Sequence, residues 1–232
     1  MRRAGLDLVG SFTRGVEPLW LRGHDRLLSL GIDTVTRILA PDRVSPGSSV
    51  SKPAPHRLPG DPPLTAEIAR ILRVDHAGEF GATRIYEGQL DVLGRSRAAG
   101  AIREMAEAEK RHFARLETLL RERRVRPTLL HPLWSVAGYA LGAATALLGE
   151  RAAMACTVAV EEVIDEHYQW QAERLGDDDA ALRAELLSFR DDEIAHRDVA
   201  IAEGAEKAPV YDLISVAVKT GSRIAIWLST RF

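Results

Sequence analysis

One polar pattern occurs twice in this chain. Glu79 is followed seven residues later by Tyr86, then by Glu109 and His112; Glu161 is followed seven later by Tyr168, then by Glu193 and His196. Residues seven apart return to nearly the same face of an α-helix, and residues three apart are surface neighbours on it. Between Tyr86 and Glu109 lie 22 residues, and between Tyr168 and Glu193 lie 24. That is enough chain to finish one helix, turn and climb back. Each copy therefore predicts a helical hairpin presenting two carboxylates and one imidazole at a single level.

Two such hairpins packed face to face bring four carboxylates and two imidazoles around a pair of metal ions. One Glu from each of two helices, with Glu-x-x-His from each of the other two, is the donor set of ferritin-like di-metal bundles. The fold class expected is all-α: a four-helix bundle of this kind. Bridging carboxylates offset the repulsion between two close cations, and mixed oxygen and nitrogen donors suit iron or manganese better than zinc. The lone cysteine, Cys156, rules out an internal disulfide and a thiolate zinc site.

A solvated helix face would explain a single Glu-x-x-His pair. It does not explain Glu161, which follows the nearly unbroken apolar run AAMACTVAV. A carboxylate in such a setting points into a core, where it is costly without a partner. Other polar residues are less constrained by their spacing. Tyr86 and Tyr168 either hydrogen-bond the ligands, carry an electron or simply pack. His76 suits a supporting or structural role. Asp192, next to Glu193, either orients a ligand histidine or is solvated.

Glycines and prolines punctuate the rest. Helices are predicted over about 66–93, 98–124, 150–175 and 178–203, with Thr65 as the first N-cap. Residues 177–179, three aspartates, read as a helix start. Residues 44–64 are a Pro/Gly/Ser-rich linker, separating a basic, partly helical extension at 1–43 from the helical domain at 65–232. The alternative for 1–43 is a removable presequence. The net charge of -2 gives no field that would favour nucleic acid.

Residues 129–149 carry only His131 as an ionisable side chain. A single membrane span there would part Glu79 and Glu109 from Glu161 and Glu193, which must meet. The segment is better read as a long crossover helix. Its surplus apolar surface suits a membrane interface, with core packing or contact with another copy of the chain as the alternatives. A last, amphipathic helix over 208–230 sets Ile214, Val218, Ile224 and Trp227 against Lys219, Arg223 and Arg231.

Longer stretches carry a resemblance. DHAGEFGATRIYEGQ at 75–89, EKRH at 109–112, RVRPTLLHPLW at 124–134, AMACTVAVEEVIDEHY at 153–168 and FRDDEIAH at 189–196 resemble the demethoxyubiquinone hydroxylases. These are di-iron monooxygenases of ubiquinone biosynthesis, and the likeness covers about 66–232. It implies two iron ions on the six residues above and dioxygen as co-substrate. The substrate implied is a polyprenylated methoxy-methyl benzoquinol, hydroxylated on its ring. The family's His-Tyr pair beside the metals falls on His167 and Tyr168. The implied location is a membrane surface: the cytoplasmic face of a bacterial inner membrane, or the matrix face in mitochondria. Other ubiquinone-biosynthesis proteins are candidate partners. No GxGxxG fingerprint precedes a helix, so electrons come from a partner, from NADH bound without a Rossmann domain, or from the quinol itself. The competing reading is a ferroxidase or rubrerythrin-like protein with the same ligands and no organic substrate.

Overall fold

The computed structural model describes residues 63–232; the expectations for the extension and most of the linker lie outside them. Six α-helices are present among the described residues: α1 (Leu64–Leu93), α2 (Ala99–Glu122), α3 (His131–Leu147), α4 (Glu150–Leu175), α5 (Ala180–Ala202) and α6 (Tyr211–Ser229). A short 3-10 turn, Ala205–Lys207, joins the last two. No strand occurs among these residues, and the chain is a ferritin-like helical bundle.

The expected boundaries hold to within a few residues, with one correction at the start. α1 begins at Leu64 with Pro63 as its cap residue and no side-chain cap bond, so Thr65 lies inside the first turn. Proline at a helix start forfeits only an amide that has no partner there. At α5 the expectation holds: the Asp179 side chain accepts from Leu182 N at 3.1 Å, closing one open amide of the first turn. The α3–α4 corner turns at Gly149, whose φ of 111° is open to glycine at little cost.

The cross-helix contacts give the directions. Tyr86 meets Glu161 and Asp75 meets Gln171, so α1 and α4 are antiparallel. Arg115 meets Glu185 and Arg123 meets Asp179, so α2 and α5 are antiparallel too. α2 therefore ends where α1 began, and the chain must travel the length of the bundle before α4 can start. α3 makes that journey alongside α1 and parallel to it. Added methyl groups show how close the pair is. A Cβ at Gly138 would lie 2.9 Å from Gly81 O, and one at Gly142 would lie 1.9 Å from Ile85 O.

The core has two parts. Around Ile102, Met154, Ala159 and Ile214 it joins α1, α2, α4 and α6 with Ala200 of α5; around Leu72, Leu116, Leu182 and Leu186 it joins α1, α2, α4 and α5. Ile214 and Val218 belong to the first part. They are thus corrected from the outward apolar face of α6 to its buried face. Lys219 and Arg223, expected on the polar face, pair with Glu162 and Glu166 of α4. The outward apolar side chains of α6 are Leu213, Val216, Ile224 and Trp227.

Candidate metal centre

All six residues of the repeated pattern converge and are buried, at 8% exposure or less. They form two overlapping quartets. Glu79, Glu109, His112 and Glu193 make one, and Glu109, Glu161, Glu193 and His196 make the other. Within each quartet the ligating atoms lie within 4.8 Å of one another. Glu109 and Glu193 belong to both. These are the glutamates of the two Glu-x-x-His turns, while Glu79 and Glu161 stand at opposite ends.

The imidazoles are aimed by their neighbours. His112 Nδ1 faces the carboxylates, 3.2 Å from Glu193 Oε1 and 3.6 Å from Glu79 Oε2. Its Nε2 stands 3.0 Å from Asp192 Oδ2. A proton on Nε2, held by Asp192, leaves the Nδ1 lone pair for a cation. Asp192 thus meets the ring while its side chain stays exposed to solvent. Phe189 lies against the same ring, centroid to centroid 4.5 Å. His196 Nδ1 lies 3.0 Å from Glu109 Oε1 and 3.1 Å from Glu193 Oε2.

The tyrosines of the repeat play matching parts. Tyr86 donates to Glu161 Oε1 at 2.8 Å, and Tyr168 donates to Glu79 Oε1. Each hydroxyl engages one oxygen of an end carboxylate and crosses between α1 and α4 to do so. The other oxygens are left over: Glu79 Oε2, Glu161 Oε2, both oxygens of Glu109, Glu193 Oε1 and His112 Nδ1 are buried without a hydrogen bond. Orphaned donors and acceptors of this kind are rare in folded proteins, and here all of them face one spot. The donor set fits a pair of divalent cations.

The electrostatics agree. Burial, then the nearby Glu193 carboxylate, pushes Glu109 and Glu161 well above the usual carboxylate range. Burial also opposes the charged form of Glu193, but the adjoining His112 and His196 imidazoles outweigh it and hold its carboxyl at about 2. His112 is likewise opposed by burial, yet Glu193 and Glu79 push it up to about 11. Protons thus stand in for positive charge among carboxylates that are too dry to ionise together.

His167 does not join the cluster. It is half-buried, stacks on Trp170 and meets Gln171. His76 stacks between Phe113 and His131, with Nδ1 3.2 Å from His131 Nε2. Sequence reasoning passed over Asp75 and Gln171, a buried pair joined at 2.7 Å. The available signal was spacing, because Asp75 lies one turn before Glu79 on the same helical stripe.

Fold and centre together define a class: a ferritin-like bundle built around paired carboxylate–imidazole sites. Comparison with known proteins narrows it. Residues 66–229 match the family described as ubiquinone biosynthesis protein COQ7, and this chain belongs to that family. It is 56% identical over 185 residues to the 3-demethoxyubiquinol 3-hydroxylase of Rhodospirillum rubrum, covering 79% of this chain and 87% of that protein. It is 54% identical over 167 residues to the NADPH-dependent 3-demethoxyubiquinone 3-hydroxylase, mitochondrial, of Dictyostelium discoideum (71% and 77% covered). With the Homo sapiens protein of the latter name it shares 49% over 170 residues (72% and 78% covered).

Proposed function

We propose that this chain is a di-iron monooxygenase that hydroxylates the ring of a polyprenylated methoxy-methyl benzoquinol, a late step of ubiquinone biosynthesis. The single observation that carries the chemistry is the pair of quartets sharing Glu109 and Glu193, with their orphaned oxygens turned to one spot. Glu79 and His112 would serve one ion, Glu161 and His196 the other, and Glu109 with Glu193 would be available to both. Bound iron supplies the electrons that activate dioxygen, so that one oxygen atom enters the ring and the other leaves as water. The protein's part is to hold the donors in place and keep the pocket dry. Tyr86 and Tyr168 brace the end carboxylates, and Asp192 keeps the His112 Nδ1 lone pair free. His167 borders the reacting quinol. The names of the Dictyostelium and human relatives include NADPH dependence, which supports a nicotinamide nucleotide as the reductant.

A quinol with an isoprenoid tail resides in a bilayer, so the enzyme must meet a membrane surface. No helix among the described residues is long and apolar enough to cross one. Leu133 and Val136 on α3 and Leu213, Val216, Ile224 and Trp227 on α6 are exposed. The two helices are tied at one end by Leu129 N to Phe232 O at 2.9 Å and Trp134 Nε1 to Ser229 Oγ at 3.1 Å. These exposed apolar side chains suit docking in the interface of a bilayer. In a bacterium the expected site is the cytoplasmic face of the inner membrane.

The test is metal analysis of the purified protein, then reduction without oxygen and exposure to oxygen with demethoxyubiquinol present. Two irons per chain and an oxygen-dependent hydroxylated quinone are expected, and both are lost in Glu161→Gln. Oxygen consumed with the quinol untouched would instead favour the ferroxidase reading.

A further inference from the structure

A second polar rung joins α1 to α4 one turn from the ligands. Asp75 lies four residues before Glu79, and Gln171 lies three after Tyr168. They are 4% and 1% exposed. Gln171 Nε2 donates to Asp75 Oδ1 at 2.7 Å and stands 2.9 Å from His167 Nε2. One amide nitrogen thus faces two neighbours, and it has two hydrogens to give. The second hydrogen needs a lone pair on His167 Nε2, which therefore carries no proton. The ring proton then sits on Nδ1, which has no hydrogen-bond partner among the described residues. Turning the amide over would set its oxygen 2.7 Å from a carboxylate oxygen. That contact needs a proton on Asp75, which burial favours by pushing its carboxyl well above the usual carboxylate range, and it would place the ring proton on Nε2 instead.

Burial lowers His167 to about 4, so its ring is neutral near pH 7 and its one proton must choose a nitrogen. The stack on Trp170, with centroids 5.8 Å apart, restrains the plane of the ring but not the choice of nitrogen. Only the Gln171 amide distinguishes the two.

We propose that Gln171, anchored by Asp75, is a positioning residue that holds His167 as the Nδ1–H tautomer. The inference rests on the reading that His167 borders the quinol. In that pose Nδ1–H is a donor for an oxygen on the substrate ring, and the amide keeps it from becoming an acceptor. Neither Asp75 nor Gln171 touches substrate or metal in this role.

The experiment uses the full-length chain loaded with zinc, a diamagnetic stand-in for iron. Side-chain nitrogen NMR distinguishes the two tautomers, and His167→Gln identifies the signal by deleting it. The wild type should give the Nδ1–H pattern. Gln171→Glu, whose carboxyl shares a proton with Asp75 and so turns an acceptor oxygen to His167, should convert it to Nε2–H. Gln171→Leu should give a mixture. In the iron-loaded enzyme both Gln171 variants should lose about ten-fold in kcat, as partners that orient a working imidazole typically do, with helix content unchanged. A wild-type Nε2–H pattern overturns the proposal, as does a tautomer indifferent to Gln171→Glu. Full kcat in Gln171→Leu beside a crippled His167→Gln also overturns it. Full activity in His167→Gln instead removes the underlying reading of His167, while the NMR patterns still judge the grip of Gln171 on the ring.

Discussion

Gly142→Ala should destabilise this protein although alanine is the better helix former. Within a helix, replacing Gly by Ala gains about 1 kcal/mol from backbone entropy. At Gly142 the new Cβ would sit 1.9 Å from Ile85 O, 2.8 Å from its carbon and 3.0 Å from its Cα. These are backbone atoms of α1 and cannot rotate away. Reaching even 3.0 Å from the oxygen requires α3 and α1 to part by 1.1 Å. Overpacking typically costs about 1–3 kcal/mol, and a clash against rigid backbone belongs at the upper end. The net loss is then about 2 kcal/mol, or roughly 4–8 °C in Tm for a chain of this size. α1 carries Glu79, so the parting should also weaken metal binding. Gly221→Ala on α6 is the matched control, because nothing lies within 4 Å of its Cβ. It should gain up to about 1 kcal/mol. Chemical denaturation followed by circular dichroism measures both. Equal signs for the two substitutions, or a stabilised Gly142→Ala, would refute the claim that backbone contact between α1 and α3 sets the spacing of the bundle.

Three further outcomes are expected. Asp179→Ala should cost about 1 kcal/mol by removing the α5 cap. Some burial opposes the Asp179 charge, but Arg123 and Leu182 N hold its carboxyl below 3.8. A lowered carboxylate contributes its full stability above the unfolded value, so the gap between wild type and variant should be flat at neutral pH. It should close as pH falls below 3.8 through the folded value, and a gap that persisted in acid would contradict this. Chelation should lower Tm, with ferrous iron restoring it. Metal at a thousand times its Kd contributes about 4 kcal/mol, and a Tm indifferent to chelator would argue against the centre. Tyr168→Phe should leave Glu79 Oε1 without its donor and cost about 1–3 kcal/mol in the metal-free protein, read from denaturant midpoints against the metal-free wild type; an unchanged midpoint would contradict it.

The six-residue cluster was legible because helix geometry is local. Spacings of seven and three place Glu79 with Tyr86 and Glu109 with His112 on shared stripes whatever surrounds them, and the apolar run before Glu161 announces its burial. Helix ends marked by Gly176 and Asp179 are equally local. The outward face of α6 was only half legible, because two apolar stripes on one helix look alike until a neighbour covers one. Packing against α4 buries Ile214 and Val218 and leaves Ile224 and Trp227 outside.

What the sequence determined by itself is therefore whatever depends on periodicity: the helices, the two hairpins, and the six side chains able to meet at one level. What only the tertiary structure decided is how the hairpins share their donors and what lies behind them. The shared place of Glu109 and Glu193 in both quartets, the hold of Asp192 on His112, and the chain from Asp75 through Gln171 to His167 all depend on contacts between helices distant in sequence. Their partners are set by how helices pack and in which direction they run, and no spacing along a single helix encodes that.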